Sequence, residues 1–263
     1  MLEAALFGAI AQSALVLGAL FAWKFPQLKK PAIVGGLMAF GAGAVISAVS
    51  IDLVSISYDE AGELPTALGI AIGCAAYFTI IKVLERRGEE EQPREVLEEG
   101  ALTSVAAGEG DTQGATKKEA RNLTIGMVID GVPESIAVGL TLHTASIGVS
   151  GALVGSIFIA AIPEAIGIAA ALLAGGIALG SILMRFSFIV IIGAVFSAIG
   201  YSLLVGASDS TQAIIQSIAA GALLVVVINE MIPIAVRNVK GWAGIIGAAG
   251  FVFSAFLTWA SGG

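Results

Sequence analysis

The chain has 263 residues, of which 57% are hydrophobic and only 13% charged, and it contains 34 glycines. This composition excludes an ordinary soluble domain and predicts a protein that crosses a bilayer several times. The net charge of −7 says little about partners, because ten of the twenty acids lie in the polar segment 84–119 and five more lie in apolar stretches.

Eight apolar stretches are long enough to cross a membrane and predict one all-α transmembrane domain over residues 1–263. They cover residues 4–23, 32–57, 65–83, 122–143, 149–174, 178–204, 211–236 and 241–260. No basic n-region precedes the first stretch, so we expect it to be retained rather than cleaved as a signal peptide. The charged, glycine-containing segment 84–119 predicts a mobile loop.

All thirteen Lys and Arg residues fall on one side of the membrane if successive connections alternate sides. The segment 84–119 is on that side. The opposite side carries only acids, namely Glu3, Asp59, Glu60, Glu63 and Asp209. By the positive-inside rule the basic side is cytoplasmic, which predicts that both termini face outward, in a plasma or inner membrane.

Five carboxylates lie inside the apolar stretches, where an ionisable group usually serves an ion or a transport pathway. They are Asp52, Asp130, Glu134, Glu164 and Glu230. Counting 1.5 Å per residue from the cytoplasmic ends puts the last four in one band roughly 10–16 Å deep, on three different spans. Asp52 lies near the outer end of its span, where we expect an entrance group.

A proline precedes both Glu134 and Glu164, and another follows Glu230. Proline removes a backbone hydrogen bond and frees a carbonyl one turn earlier, and Asn229 adds an amide oxygen. Oxygen ligands without imidazole or thiolate suit hard divalent ions such as Mn²⁺, Mg²⁺ or Ca²⁺. The pattern predicts a metal site formed by Asp130, Glu134, Glu164, Asn229 and Glu230, with Asp52 outside it. Protonated carboxylates that only bind neighbouring helices are the alternative.

At these residues the chain resembles the ZIP family (Zrt/Irt-like proteins) of divalent metal transporters. The segments at 130–135 and 160–165 are similar to the family's H-N-x-P-E-G pattern on span four and its related pattern on span five. Those at 39–44 and 229–233 are similar to its F-G-A-G-V and E-x-I-P segments. The resemblance covers the whole chain. It implies a 3+2+3 arrangement in which spans one to three and six to eight form inverted repeats around spans four and five.

The chain departs from the ZIP pattern by lacking its nitrogen ligands. Asp130 stands where the family has histidine on span four, and Ala160 and Ala161 occupy the two ligand positions before the span-five proline. Histidine at position 130, alone or together with histidine at position 160, is expected to shift preference toward Zn²⁺, since each would lie one turn before a retained glutamate.

The resemblance implies a carrier whose cargo is a divalent ion, with Mn, Mg, Fe and Zn as candidates and no resident cofactor. The expected partners are membrane lipid and the cation, without nucleic acid, and a homodimer is a candidate assembly. The alternative is a carrier of a non-metal solute on the same scaffold, with the glutamates as proton carriers. An enzyme is not expected, because G-x-S-x-G, H-E-x-x-H and GxGD-type phrases are absent.

Overall fold

The computed structural model describes residues 1–89, 117–144, 147–174 and 176–260, and every regular element in these ranges is helical. Helices that continue through a π-helical turn are counted here as one. The eight are α1 Leu2–Lys24, α2 Pro31–Ala61, α3 Glu63–Glu89, α4 Lys117–Thr144, α5 Ile147–Ala174, α6 Leu179–Leu203, α7 Asp209–Val239 and α8 Trp242–Ala260.

Each predicted apolar stretch corresponds to one of these helices. Seven helices are long and apolar enough to cross a bilayer, and in α4 the apolar stretch within the described residues is the shorter Gly131–Leu142. The chain is therefore an integral membrane protein. The predicted loop 84–119 is shorter at both ends, because its first and last residues are good helix formers that extend α3 to Glu89 and start α4 at Lys117. Its remainder, 90–116, lies outside the described residues.

Helices α2 and α7 share an irregularity. Both contain 31 residues, and each passes into a π-helical turn at the same distance from its start, at Val49–Ser55 in α2 and Val227–Met231 in α7. Pro233 follows the second turn and cannot donate the backbone hydrogen bond that a regular helix needs. π-helical turns within α-helices are frequent at functional sites, so both turns are candidate functional positions.

The helices pack so that α4 and α5 contact each other and lie among the rest. Helix α1 contacts α4, α5 and α6, whereas α2 contacts α5, α7 and α8. Helix α3 packs mainly on α7, and α4 also contacts α6 and α7. The buried surfaces are rich in alanine, which lets helices approach closely where lipid removes the hydrophobic drive to associate.

Two of these helix pairs cross in the same way. Where α2 meets α8, a Cβ atom on Gly43 would overlap the carbonyl of Gly247, and one on Gly250 would overlap that of Phe40. Where α3 meets α7, Gly221 lies in the same manner on the carbonyl of Ile70, and Gly73 on that of Ile218. Each crossing thus depends on one glycine from each helix. The contact of α2 with α8 is repeated by that of α7 with α3.

Candidate functional site

Glu134 lies in the middle of the proline-containing helix α4 and is buried, with 9% of its surface exposed. Its carboxylate contacts α1, where the side-chain amide of Gln12 donates to Oε2 of Glu134 at 3.4 Å. Gln12 is itself only 2% exposed. A buried acid and a buried amide from different helices therefore meet inside the bundle.

The amide of Gln12 faces two further acceptors on the same turn of α4. Its Nε2 lies 3.5 Å from the carbonyl oxygen of Gly131 and 3.4 Å from Oγ of Ser135. The Ser135 hydroxyl in turn donates to the Gly131 carbonyl at 2.7 Å. Helix α6 closes the group, because Gly193 lies against the side chains of both Gln12 and Ser135. We call Gln12, Gly131, Glu134 and Ser135 the α1–α4 polar cluster.

Glu164, the second glutamate of the repeated phrase, lies on α5 and is half-buried. The two alanines that precede it are buried at 2% and 4% exposure for Ala160 and Ala161. Ala160 packs directly on Gly41 of α2, with no room for a larger group between them. Ala160 is therefore used for close packing against α2, and Ala161 is buried in the core.

Asp52 is the fourth residue of the π-helical turn in α2 and is only 1% exposed. Neither carboxylate oxygen has a hydrogen bond of good geometry among the described residues, although the Thr258 hydroxyl is close enough to interact with the carboxylate, and Oγ of Ser47 has no partner there either. The sequence predicted an entrance group near the end of the span. However, α2 continues past the predicted end of the span to Ala61, so Asp52 does not lie at the helix end. Its side chain is covered by the neighbouring helices.

A second set of buried polar side chains joins α5 to α8. The hydroxyls of Ser156 and Ser254 are 2.8 Å apart, and the Thr258 hydroxyl donates to the Ser254 carbonyl at 3.3 Å. Thr258 also lies beside Asp52. Asp52 thus lies near a group of buried hydroxyls, as Glu134 lies within the α1–α4 polar cluster.

The remaining predicted site residues are only partly located. Asn229 and Glu230 belong to the π-helical turn of α7, and the Asn229 side chain is exposed. The side chains of Glu230 and of Asp130 on α4 lie outside the described part of the structure. Among the side chains that are described, no three His, Cys, Asp or Glu residues are grouped closely enough to hold a metal ion. The band of four carboxylates stays a prediction.

Comparisons with protein-family models and with curated proteins found no match to this chain. Its own residues must therefore carry the functional argument.

Sequence reasoning missed Gln12 and Ser135. Gln12 gives a usable signal, because it is the one amide in a first stretch that is apolar apart from Gln12 and Ser13, and polar groups in such stretches usually find partners inside the bundle. Ser135 gives none, since a serine inside a membrane helix commonly bonds the carbonyl one turn earlier without any further role.

Proposed function

We propose that this chain is a ZIP-like carrier that moves a divalent cation across a membrane. The observation that carries the proposal is Glu134, a buried acid in the centre of a proline-containing membrane helix, in contact with a buried amide from another helix. Keeping an ionisable group at that depth costs free energy, so it is retained mainly where it serves an ion or a transport pathway. Glu164 repeats the same Pro-Glu phrase on the helix that packs beside α4.

The proposed site consists of Asp130, Glu134, Glu164, Asn229 and Glu230, with Asp52 as a further acid on the pathway. Three features support it: α4 and α5 are in contact, the π-helical turn of α7 holds Asn229 and Glu230, and that of α2 holds Asp52. π-helical turns change the direction in which side chains leave a helix and free backbone groups to bind ligands. The cargo is a hard divalent ion, with Mn²⁺ and Mg²⁺ ahead of Fe²⁺ and Zn²⁺, since the site supplies oxygen and no imidazole.

The proposal includes the 3+2+3 arrangement of the ZIP fold. The equal lengths and matching π-helical turns of α2 and α7 support it. So does the repetition of the α2–α8 crossing by α3 and α7. In such an arrangement α1–α3 and α6–α8 are equivalent units around α4 and α5. We further propose that both termini face outward and that the segment 84–119 is cytoplasmic, on the strength of the one-sided basic residues.

Uptake of Mn²⁺ into proteoliposomes tests the proposal. We expect saturable uptake by the unaltered protein, and loss of most of it in Glu134→Gln and in Glu164→Gln. Each substitution keeps the side-chain shape but removes ligand charge that must replace the ion's hydration. Glu63→Gln is the matched control, because Glu63 is an exposed glutamate at the first residue of α3. Full uptake by both intramembrane variants would overturn the site.

The second candidate is a carrier of a non-metal solute on the same scaffold, with the glutamates as proton carriers. The close packing of Ala160 on Gly41 favours it, because a position that ligates metal in the ZIP pattern is here committed to helix contact. Metal analysis of the purified protein separates the two candidates. Absence of both bound metal and saturable uptake for Mn²⁺, Mg²⁺, Fe²⁺ and Zn²⁺ would favour the second.

A further inference from the structure

We infer that Gln12 is a positioning residue that holds the Glu134 carboxylate for the cation and links it to the α1–α6 helix pair. The inference rests on the proposed function only for the identity of the cargo. The contact itself is a property of the fold: Nε2 of Gln12 lies 3.4 Å from Oε2 of Glu134, and both side chains are buried.

The surroundings of Gln12 leave its amide little choice of position. Its aliphatic part lies against Gly193 of α6, where any side chain would meet Cγ of Gln12. Gly131 lies against the amide group from the other side. An unbranched side chain confined between two glycines can extend only toward the turn of α4 that carries Glu134. Gln12 is thus held by packing and directed at the turn of α4 that carries Glu134.

The Gln12 amide carries two hydrogens but faces three acceptors. Its two N–H groups face Glu134 Oε2, Ser135 Oγ and the Gly131 carbonyl, at distances of 3.4 to 3.5 Å. These distances are long for N–H···O bonds, so no single acceptor captures the amide. A small shift of α1 relative to α4 would redistribute its bonds. Since α1 also packs on α6, a movement of that pair reaches the carboxylate through Gln12.

The decisive variant is Gln12→Met, which keeps the length and unbranched shape of the side chain and removes both donors. We expect the Mn²⁺ concentration for half-maximal uptake to rise roughly fivefold to tenfold, as loss of one long and therefore weak hydrogen bond predicts, with a smaller change in maximal rate. Ser197→Ala is the matched control. It removes a buried 2.7 Å hydrogen bond from Ser197 on α6 to the Ala4 carbonyl on α1, a contact of α1 that does not involve Glu134.

An infrared spectrum supplies a readout that does not depend on transport. The Glu134 carboxyl band, assigned by its loss in Glu134→Gln, should shift in Gln12→Met and stay in place in Ser197→Ala. Should Gln12→Met fail to fold, Gly193→Ala keeps the amide but displaces it, and the same band should shift. The inference would be overturned if the Glu134 band did not move in a folded Gln12→Met protein. It would also be overturned if the half-saturating Mn²⁺ concentration stayed unchanged in both Gln12→Met and Gly193→Ala. If the unaltered protein takes up no Mn²⁺ yet the band shifts, the contact stands and the proposed cargo fails.

Discussion

Asp52 and Glu230 occupy the same position in two helices of equal length. Each is the fourth residue of a π-helical turn, in Val49–Ser55 of α2 and Val227–Met231 of α7. A shift of 178 residues, the difference between the starting positions 31 and 209, brings both helices and both acids into register. The equivalence ties Asp52 to a residue of the proposed ion site, although α2 and α7 have little sequence in common.

Asp52→Asn should raise the unfolding temperature by a few degrees and reduce Mn²⁺ uptake. Asp52 is 1% exposed, and among the described residues its carboxylate has only the nearby Thr258 hydroxyl and no hydrogen bond of good geometry. A buried polar group without a partner costs about 1–3 kcal/mol, and a carboxylate costs more than the amide that replaces it. A thermal unfolding scan in detergent and an uptake assay measure the two effects.

The exposed acid Asp59 provides the control for this substitution, since Asp59→Asn should change neither quantity. If Asp52→Asn instead lowered the unfolding temperature, Asp52 would be a structural anchor rather than a group retained for function.

Gly43→Ala should destabilise the crossing of α2 and α8. The added methyl group would overlap the carbonyl of Gly247, and backbone atoms at a helix contact cannot move aside cheaply. We expect a loss of about 1–3 kcal/mol in the free energy of unfolding, as for other overpacked contacts. Gly244→Ala on α8 is the control, because a Cβ there meets nothing within 4 Å. Equal stability of the two variants would mean that these helices do not approach as described.

The positions of the helices could be predicted from the sequence because membrane-spanning length and apolarity leave few alternatives. The π-helical turns of α2 and α7 were harder to predict from the sequence. Pro233 provides a reason for the π-helical turn of α7, whereas no proline lies within the turn of α2, so nothing local predicts that Asp52 sits in one. The burial of Asp52 was missed for a different reason. Depth counted along an ideal helix ignores how neighbouring helices cover a side chain.

Within the candidate site, the sequence predicted which acidic residues would matter better than it predicted which side chains would touch them. The Pro-Glu phrases directed attention to Glu134, but the partner on α1 depends on which helices pack together, and this information is absent from local patterns. Conversely, spacing alone, which puts position 160 one turn before Glu164, predicts that a histidine there would add a ligand for the ion. Its contact with Gly41 shows that spacing alone does not establish free volume.

Cysteine labelling tests the orientation. Gly62 marks the predicted outer side but has φ of 82°, so a cysteine there would be strained, and the exposed Glu60 is the better position. In a Cys74→Ala background, Glu60→Cys should react with an impermeant reagent in intact cells. Gly110→Cys in the segment 84–119 should react only after the membrane is opened. The reverse pattern would invert the proposed topology.

Asp130→His should shift cargo preference toward Zn²⁺. Zn²⁺ gains from nitrogen ligands at low coordination number, whereas carboxylates with bound water suit harder ions of higher coordination number. Position 130 lies one helical turn before Glu134, so an imidazole there joins the same face of α4. In competition uptake with both ions present, we expect the Zn²⁺ to Mn²⁺ ratio to rise about tenfold. Asp130→Asn is the control, since it removes the charge without adding an imidazole ligand.

Histidine at position 160 should behave differently from histidine at position 130. Ala160 is 2% exposed and packs on Gly41, so an imidazole would force α5 away from α2. Ala160→His should lower the unfolding temperature and reduce uptake of both ions together, leaving their ratio unchanged. A shifted ratio in a stable Ala160→His protein would show that the alanine faces the cargo. An unchanged ratio in Asp130→His would remove Asp130 from the proposed site.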